Sequence, residues 1–323
     1  LGLFTTDKKK LEDFAAVTCF FNFSKSKHRE SAYTKFAKNI KKQGVELYSI
    51  ELIYQDRKPF TRESDHSFHM RTDSVLWSKE NLLNILIKKL PERIKKIAWV
   101  DADIIFDNNN WAEEASLVLD KNPVIQLASL IERSNKLGQI QSFRASIALG
   151  YARNHNQMMR TPTDPYGWAT TKSTGTPANA YDPGFAWAAT REFLTKIGLF
   201  QYDIVGGGDA TIFFSCVSEN VMFASPTHEE RIHNHHPSHY ELINEYNVKA
   251  FSFVKGHVGY ISGVITHIWH GDGKGPLYKS RHQITRSVNF HEDLEKNDEG
   301  LLVWKNREHE QKFKDLIIKQ DSV

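Results

Sequence analysis

The chain has only two cysteines, Cys19 and Cys216, in 323 residues, too few for a disulfide framework and in keeping with a reducing compartment. It has no run near the ~18 uninterrupted apolar residues that a membrane span requires, and no signal-peptide pattern at its start. Cytoplasmic residence is therefore the expectation, or a Golgi lumen should an anchor precede Leu1, with no integral membrane segment in this sequence. Internal repeats and low-complexity tails are lacking, which excludes a solenoid. One glycosylation sequon, Asn22-Phe23-Ser24, falls at the end of the first expected strand, where a glycan would block it.

A strong excess of charge is missing as well, since the net charge is +3. Its distribution is uneven, however. Residues 1–100 carry 20 Lys and Arg against 12 Asp and Glu, and the remainder 22 against 27, so the first third should attract anions such as nucleotide phosphates or nucleic acid. With 40% hydrophobic and 25% charged residues, the chain reads as a globular protein able to bury a sizeable core.

Hydrophobic periodicity supplies the elements. Phe14–Phe23 reads as a strand, Ser31–Gln43 as a helix with Tyr33, Phe36, Ala37 and Ile40 on one face, and Val45–Leu52 as a second strand. Asn81–Leu90 reads as a helix stopped by Pro91, and Ile94–Phe106 contains a third strand. This alternation predicts an α/β fold with a parallel, doubly wound sheet whose ligands lie at the carboxyl ends of its strands. Trp111–Leu119, Arg191–Ile197, Ala210–Val217 and Glu308–Lys319 read as further helices, and Gly259–Trp269 as a late strand ending at His267. Residues 151–180, rich in Gly, Pro, Thr and Asn, read as a lid or substrate-binding loop.

The most informative run is Ile97-Ala98-Trp99-Val100-Asp101-Ala102-Asp103-Ile104-Ile105-Phe106. Residues two apart on a strand face one side, so Asp101 and Asp103 are expected to converge on one object at the end of a buried strand. Desolvated carboxylates repel unless a cation compensates. Oxygen ligands suit Mg2+ and Mn2+, ions that bridge carboxylates to phosphate oxygens.

The order of four features resembles the GT-A glycosyltransferases, the metal-dependent class that uses nucleotide-sugar donors. These are a strand ending at Phe21-Asn22, the Trp-Val-Asp-Ala-Asp segment, the block Asp-Pro-Gly-Phe-Ala-Trp-Ala-Ala-Thr-Arg-Glu at 182–192, and Thr-His-Ile-Trp-His-Gly at 266–271. The resemblance covers about residues 14–290. It implies one Rossmann-like, doubly wound mixed sheet, with residues 14–215 forming the nucleotide-sugar and metal core and 216–323 an acceptor-side, metal-completing portion. It also implies Asp103 as principal ligand of Mn2+ or Mg2+ and Asp101 as its partner at the ribose or metal.

A histidine after a late strand often completes the metal shell in that class. His267, at the strand end, is preferred over His270, and Lys274 and Arg281 follow to neutralise a leaving diphosphate. Gly206-Gly207-Gly208-Asp209 stands where such enzymes hold the acceptor, which implies Asp209 as general base for an inverting displacement. The glutamate that usually precedes this aspartate is Gly208 here, and an N-capping role competes for Asp209. Gly184 resembles part of the donor-sugar floor, Trp187 reads as core, and Phe21, Asn22, Arg29 and Lys79 lie in segments suited to base or diphosphate.

The reaction implied is sugar transfer from a UDP-sugar or GDP-sugar to a hydroxyl on a glycan, a glycoprotein or a hydroxymethylated base in modified DNA. A sugar nucleotidyltransferase and a catalytically silent sugar-binding module are the competing readings. The segment Asn22–Lys27 lacks the glycines expected of the former. His233–His239 has no closed zinc spacing and reads as a polar loop.

Overall fold

Along Phe14–Phe21 (β1) every second side chain enters a different core, Ala15 and Val17 one and Phe14 and Ala16 the other, as expected of a central strand covered on both faces. The computed structural model describes residues 11–153, 181–221, 235–270, 284–305 and 307–321. After β1 come α1 (Lys27–Lys42), β2 (Leu47–Tyr54), β3 (His66–Thr72), α2 (Lys79–Ile87), β4 (Lys96–Val100), β5 (Ile104–Phe106), α3 (Trp111–Leu119) and β6 (Val124–Gln126). A hairpin of β7 (Leu130–Ser134) and β8 (Ile140–Ser146) leads into α4 (Ile147–Arg153), followed by β9 (Tyr181–Asp182), β10 (Ala186–Thr190), α5 (Arg191–Lys196) and α6 (Gly208–Val217). The remainder holds α7 (Pro237–Val254), β11 (Val258–Tyr260), β12 (Val264–His267), β13 (Leu294–Lys296), β14 (Leu302–Trp304) and α8 (Glu310–Asp321).

The main sheet has the order β11-β6-β10-β4-β1-β2-β3. Helices α1 and α3 cover one face through Tyr33, Phe36, Ile40 and Trp111, and α2, α5, α6 and α7 cover the other through Leu82, Phe193, Ile212 and Ile243. The fold is thus α/β and doubly wound. The sheet is mixed rather than wholly parallel, because β10 enters antiparallel between β4 and β6. It is fed from the second sheet through Asp182-Pro183-Gly184 and not by a crossover helix. That second sheet has the order β5-β12-β7-β8-β9.

Two expected strands are each broken and shared between the sheets. The span 94–106 divides at Asp101-Ala102-Asp103 into β4 and β5, and 259–269 divides at residues 261–263 into β11 and β12, where Gly263 takes φ +135°. Helix α1 starts earlier than its apolar face indicated because the Ser26 side chain accepts from Arg29 N at 3.4 Å and caps it. The polar edge strand β3 gave no alternation to read. Around His233–His239 the expected loop is replaced, in the described part, by the start of α7, with His236 as N-cap and Pro237 in the first turn. Lys274 and Arg281 and nearly all of 151–180 lie outside the described residues. Among those described, no helix is long and apolar enough to cross a membrane.

Candidate active site

Asp101, Ala102 and Asp103 carry the chain from the main sheet into the second one, and as a turn they send their carboxylates apart. Asp101 Oδ1 lies 2.7 Å from Lys79 Nζ, whereas Asp103 Oδ2 lies 3.0 Å from His270 Nε2 and 3.6 Å from His267 Nε2. The expectation that strand alternation aims both acids at one point is corrected here. Strand pairing explains the second grouping: β12 runs antiparallel to β5 with His267 opposite Ile104, and Ile268 N donates to Asp103 O at 2.8 Å.

One ligand atom from each of Asp103, His267 and His270 lies within 4.8 Å of the other two, and Asp101 stands outside this group. Burial alone would raise the Asp103 carboxyl, but the two imidazoles hold it well below its ordinary range. Its Oδ1 is buried with no hydrogen-bond partner, which a cation would remedy. One carboxylate and two imidazoles fit a divalent transition ion such as Mn2+ better than Mg2+, which prefers an all-oxygen shell.

Lys79, the first residue of α2, bridges two acids, with Asp209 Oδ2 2.8 Å from its ammonium on the side away from Asp101. Burial would lower this amine, yet Asp101 and Asp209 outweigh it and hold Lys79 well above its ordinary value, so it stays charged. Asp101 is pushed up to about 7 by burial, against the pull of Lys79. The neighbouring Glu80 is pushed up to about 8, again by burial opposed by Lys79.

These two raised acids give a pH prediction. The unfolded chain releases their protons near the ordinary 3.8 and 4.5, while the folded chain keeps them to about 7 and about 8. The metal-free protein should therefore lose stability as pH rises from about 4 to about 8, since the native state binds more protons throughout that window. Asp103, held low, acts in the opposite sense only below it. Denaturant unfolding in EDTA at several pH values reads the slope, and Glu80→Gln should flatten its upper part.

Asp209 sits in the first turn of α6. The N-cap is Gly207, at φ +107° and without a side-chain cap bond, so the Asp209 side chain serves Lys79 and does not cap the helix. Its Oδ1 is buried without a hydrogen-bond partner. Gly184 adjoins it: a Cβ there would lie 3.4 Å from Asp182 Oδ1 and 3.9 Å from Asp209 Oδ2. Next to it Phe185 takes φ +83°, a strained backbone for an aromatic residue. That conformation presents its carbonyl to Asp101 N at 2.7 Å and its ring to His267 at 5.1 Å.

An open cleft of about 610 Å³, part of it open to solvent, is lined by Phe21, Arg29, Trp77, Lys79, Asp101, Asp103 and His270, among others. Asn22 is not among its lining residues. Its side chain accepts from Ser26 N at 2.8 Å and donates to Ser26 O at 3.0 Å, closing the turn before α1. Trp187 is 1% exposed, as a core residue should be. Sequence reasoning missed Trp77, Glu80, Phe185 and Arg133, the last of which pairs with Asp182 and lies 5.0 Å over the Phe185 ring. Only the aromatic beside the Ser-Lys start of α2 gave a signal for any of them.

No family model matches the chain, and no curated protein matches it. Solved structures do. A Drosophila beta-1,4-galactosyltransferase 7 complexed with manganese, UDP-Gal and xylobiose is 15% identical, with a TM-score of 0.32 over 61% of this chain. The chain spans 58% of that enzyme's length. Glucosyl-3-phosphoglycerate synthase from Mycobacterium tuberculosis, with Mn2+, UDP and phosphoglyceric acid, is 10% identical, with a TM-score of 0.41 over 86% of this chain and 78% of its own. A Bacillus anthracis protein assigned as a glucose-1-phosphate thymidylyltransferase is 9% identical, with a TM-score of 0.32 over 86% of this chain and 97% of its own.

Proposed function

We propose that the protein is a metal-dependent glycosyltransferase of the GT-A type, which moves a sugar from a UDP-sugar to a hydroxyl acceptor. One observation carries the reading: Asp103 and His270 of the donor triad face the same cleft as Lys79, which holds Asp101 on one side and Asp209 on the other. Asp103, His267 and His270 would hold the ion, with Asp101 at the ribose or at the edge of the metal shell. When bound, the ion supplies Lewis-acid neutralisation of charge on the departing diphosphate.

Lys79 and Arg29 bring fixed positive charge to the same cleft, where the diphosphate's negative charge grows as its bond to the anomeric carbon breaks. Asp209 accepts the proton of the acceptor hydroxyl as that oxygen forms the new bond, and its buried, unpartnered Oδ1 is the atom placed to do so. Gly184, lacking a side chain, leaves room for a sugar ring beside Asp209. Phe21 and Trp77, 5.1 Å apart and edge to face, offer an apolar wall for a base.

Thermal unfolding with UDP and Mn2+, with GDP and Mn2+, and with UDP in EDTA tests the assignment. At a hundredfold excess over Kd, UDP with Mn2+ should raise Tm by on the order of 5 °C, with little effect in EDTA. An equal rise in EDTA, or none with UDP and Mn2+, would overturn it. Pyrophosphate release from a nucleoside triphosphate and a sugar phosphate would point to nucleotidyl transfer instead, and UDP binding without turnover of any nucleotide sugar to a silent binding module.

A further inference from the structure

We propose that Glu80 is a positioning residue for Asp209, seated from α2 in the space that the absent side chain of Gly208 leaves open. The inference deepens the reading of Asp209 as the acceptor-side base and rests on it. The three glycines before Asp209 are not equivalent. Gly206 and Gly207 take φ of +85° and +107°, conformations that favour glycine at a chain reversal. Gly208 begins α6 and has no such backbone requirement.

Room is what demands glycine at 208. A Cβ there would lie 2.3 Å from Glu80 Oε1, 2.5 Å from its Cδ and 3.0 Å from its Cγ, so the carboxyl group of Glu80 rests directly against the Cα of Gly208. Glu80 is 3% exposed and takes no part in the proposed chemistry. Its neighbour Lys79 reaches Asp209 Oδ2 at 2.8 Å. Two consecutive residues of α2 thus grip two consecutive residues of α6, one by contact and one by charge. One turn on, Thr211 Oγ1 donates to Asp203 Oδ2 at 2.5 Å and pins the same helix start. Burial, opposed by Lys79 and reinforced by Asp209 and Asp203, pushes Glu80 up to about 8, so at neutral pH it is mostly a neutral acid whose shape glutamine copies.

Carbodiimide labelling of Asp209, read by peptide mass spectrometry in the full-length protein, tests this without needing turnover. Glu80→Ala and Gly208→Ala should each raise Asp209 labelling by about fivefold or more as the helix start loosens, and Glu80→Gln should leave it unchanged. Gly208→Ala should add nothing in the Glu80→Ala background, because the clash disappears with the carboxyl. In turnover, Glu80→Ala should lower kcat by about 10- to 100-fold with KM for the donor within about twofold. Native labelling in Gly208→Ala, or an equal effect of Gly208→Ala in both backgrounds, would overturn the proposal, and the first decides the matter even if Glu80→Ala does not fold. A wild-type protein that binds no UDP with Mn2+ would refute the proposed function while leaving the labelling result to stand.

Discussion

Asp103→Ala is expected to abolish Mn2+-supported turnover of a UDP-sugar, read as UDP release, by about a thousandfold or more. The residue supplies the only carboxylate in the donor triad, and its Oδ1 is buried with no hydrogen-bond partner. Two neutral imidazoles without it hold a Mn2+ ion poorly, and the diphosphate then meets Asp101 and Asp209 with less positive charge between them. The fold should survive, because Asp103 occupies the turn between β4 and β5 and its side chain is 24% exposed. Calorimetric Mn2+ titration should show binding weakened at least as strongly as turnover, with Tm in EDTA close to the native value. Turnover within about tenfold of wild type in the presence of chelator would remove the metal from the mechanism.

Asp209→Asn should reduce transfer to acceptor by about 10²- to 10⁴-fold, the range associated with losing a general base, while UDP with Mn2+ binds within about threefold. The separation follows from the geometry. Lys79 remains clasped by Asp101 at 2.7 Å, and the donor triad stands on β5, β12 and the turn after it. Helix α6 should be little disturbed, because its N-cap is Gly207 and the Asp209 side chain caps nothing. Comparison of kcat with UDP affinity by calorimetry decides the case. Near-native transfer would reject the base and favour a retaining mechanism or a base elsewhere.

Much of this was legible in the sequence, and the parts that were not have physical causes. The helices on either face of β1 declared themselves through the spacing of Tyr33, Phe36 and Ile40 and of Leu82, Leu83 and Leu86. Asp103, His267 and Asp209 stood out because carboxylates and imidazoles at strand and helix ends are costly to bury without a purpose. Periodicity could not show that the apolar run around Asp101 changes sheets in mid-course, since β4 and β5 are equally hydrophobic. The grouping of His270 with Asp103 depends on pairing across the second sheet, a non-local fact. Glu80 carried no local signal, because the room it occupies is made by a glycine more than a hundred positions away.

The donor triad also bears on how the molecule acquires its stability. Asp103 and His267 lie about half the chain apart, so their meeting waits on a large loop closure, made only after β5 and β12 have paired. An unfolded or half-folded chain offers an ion no more than the nearby His267 and His270. A cation that binds only the finished arrangement cannot hasten the search for it. It should instead act as a late crosslink between the two ends of the second sheet, slowing unfolding while leaving the folding rate almost untouched.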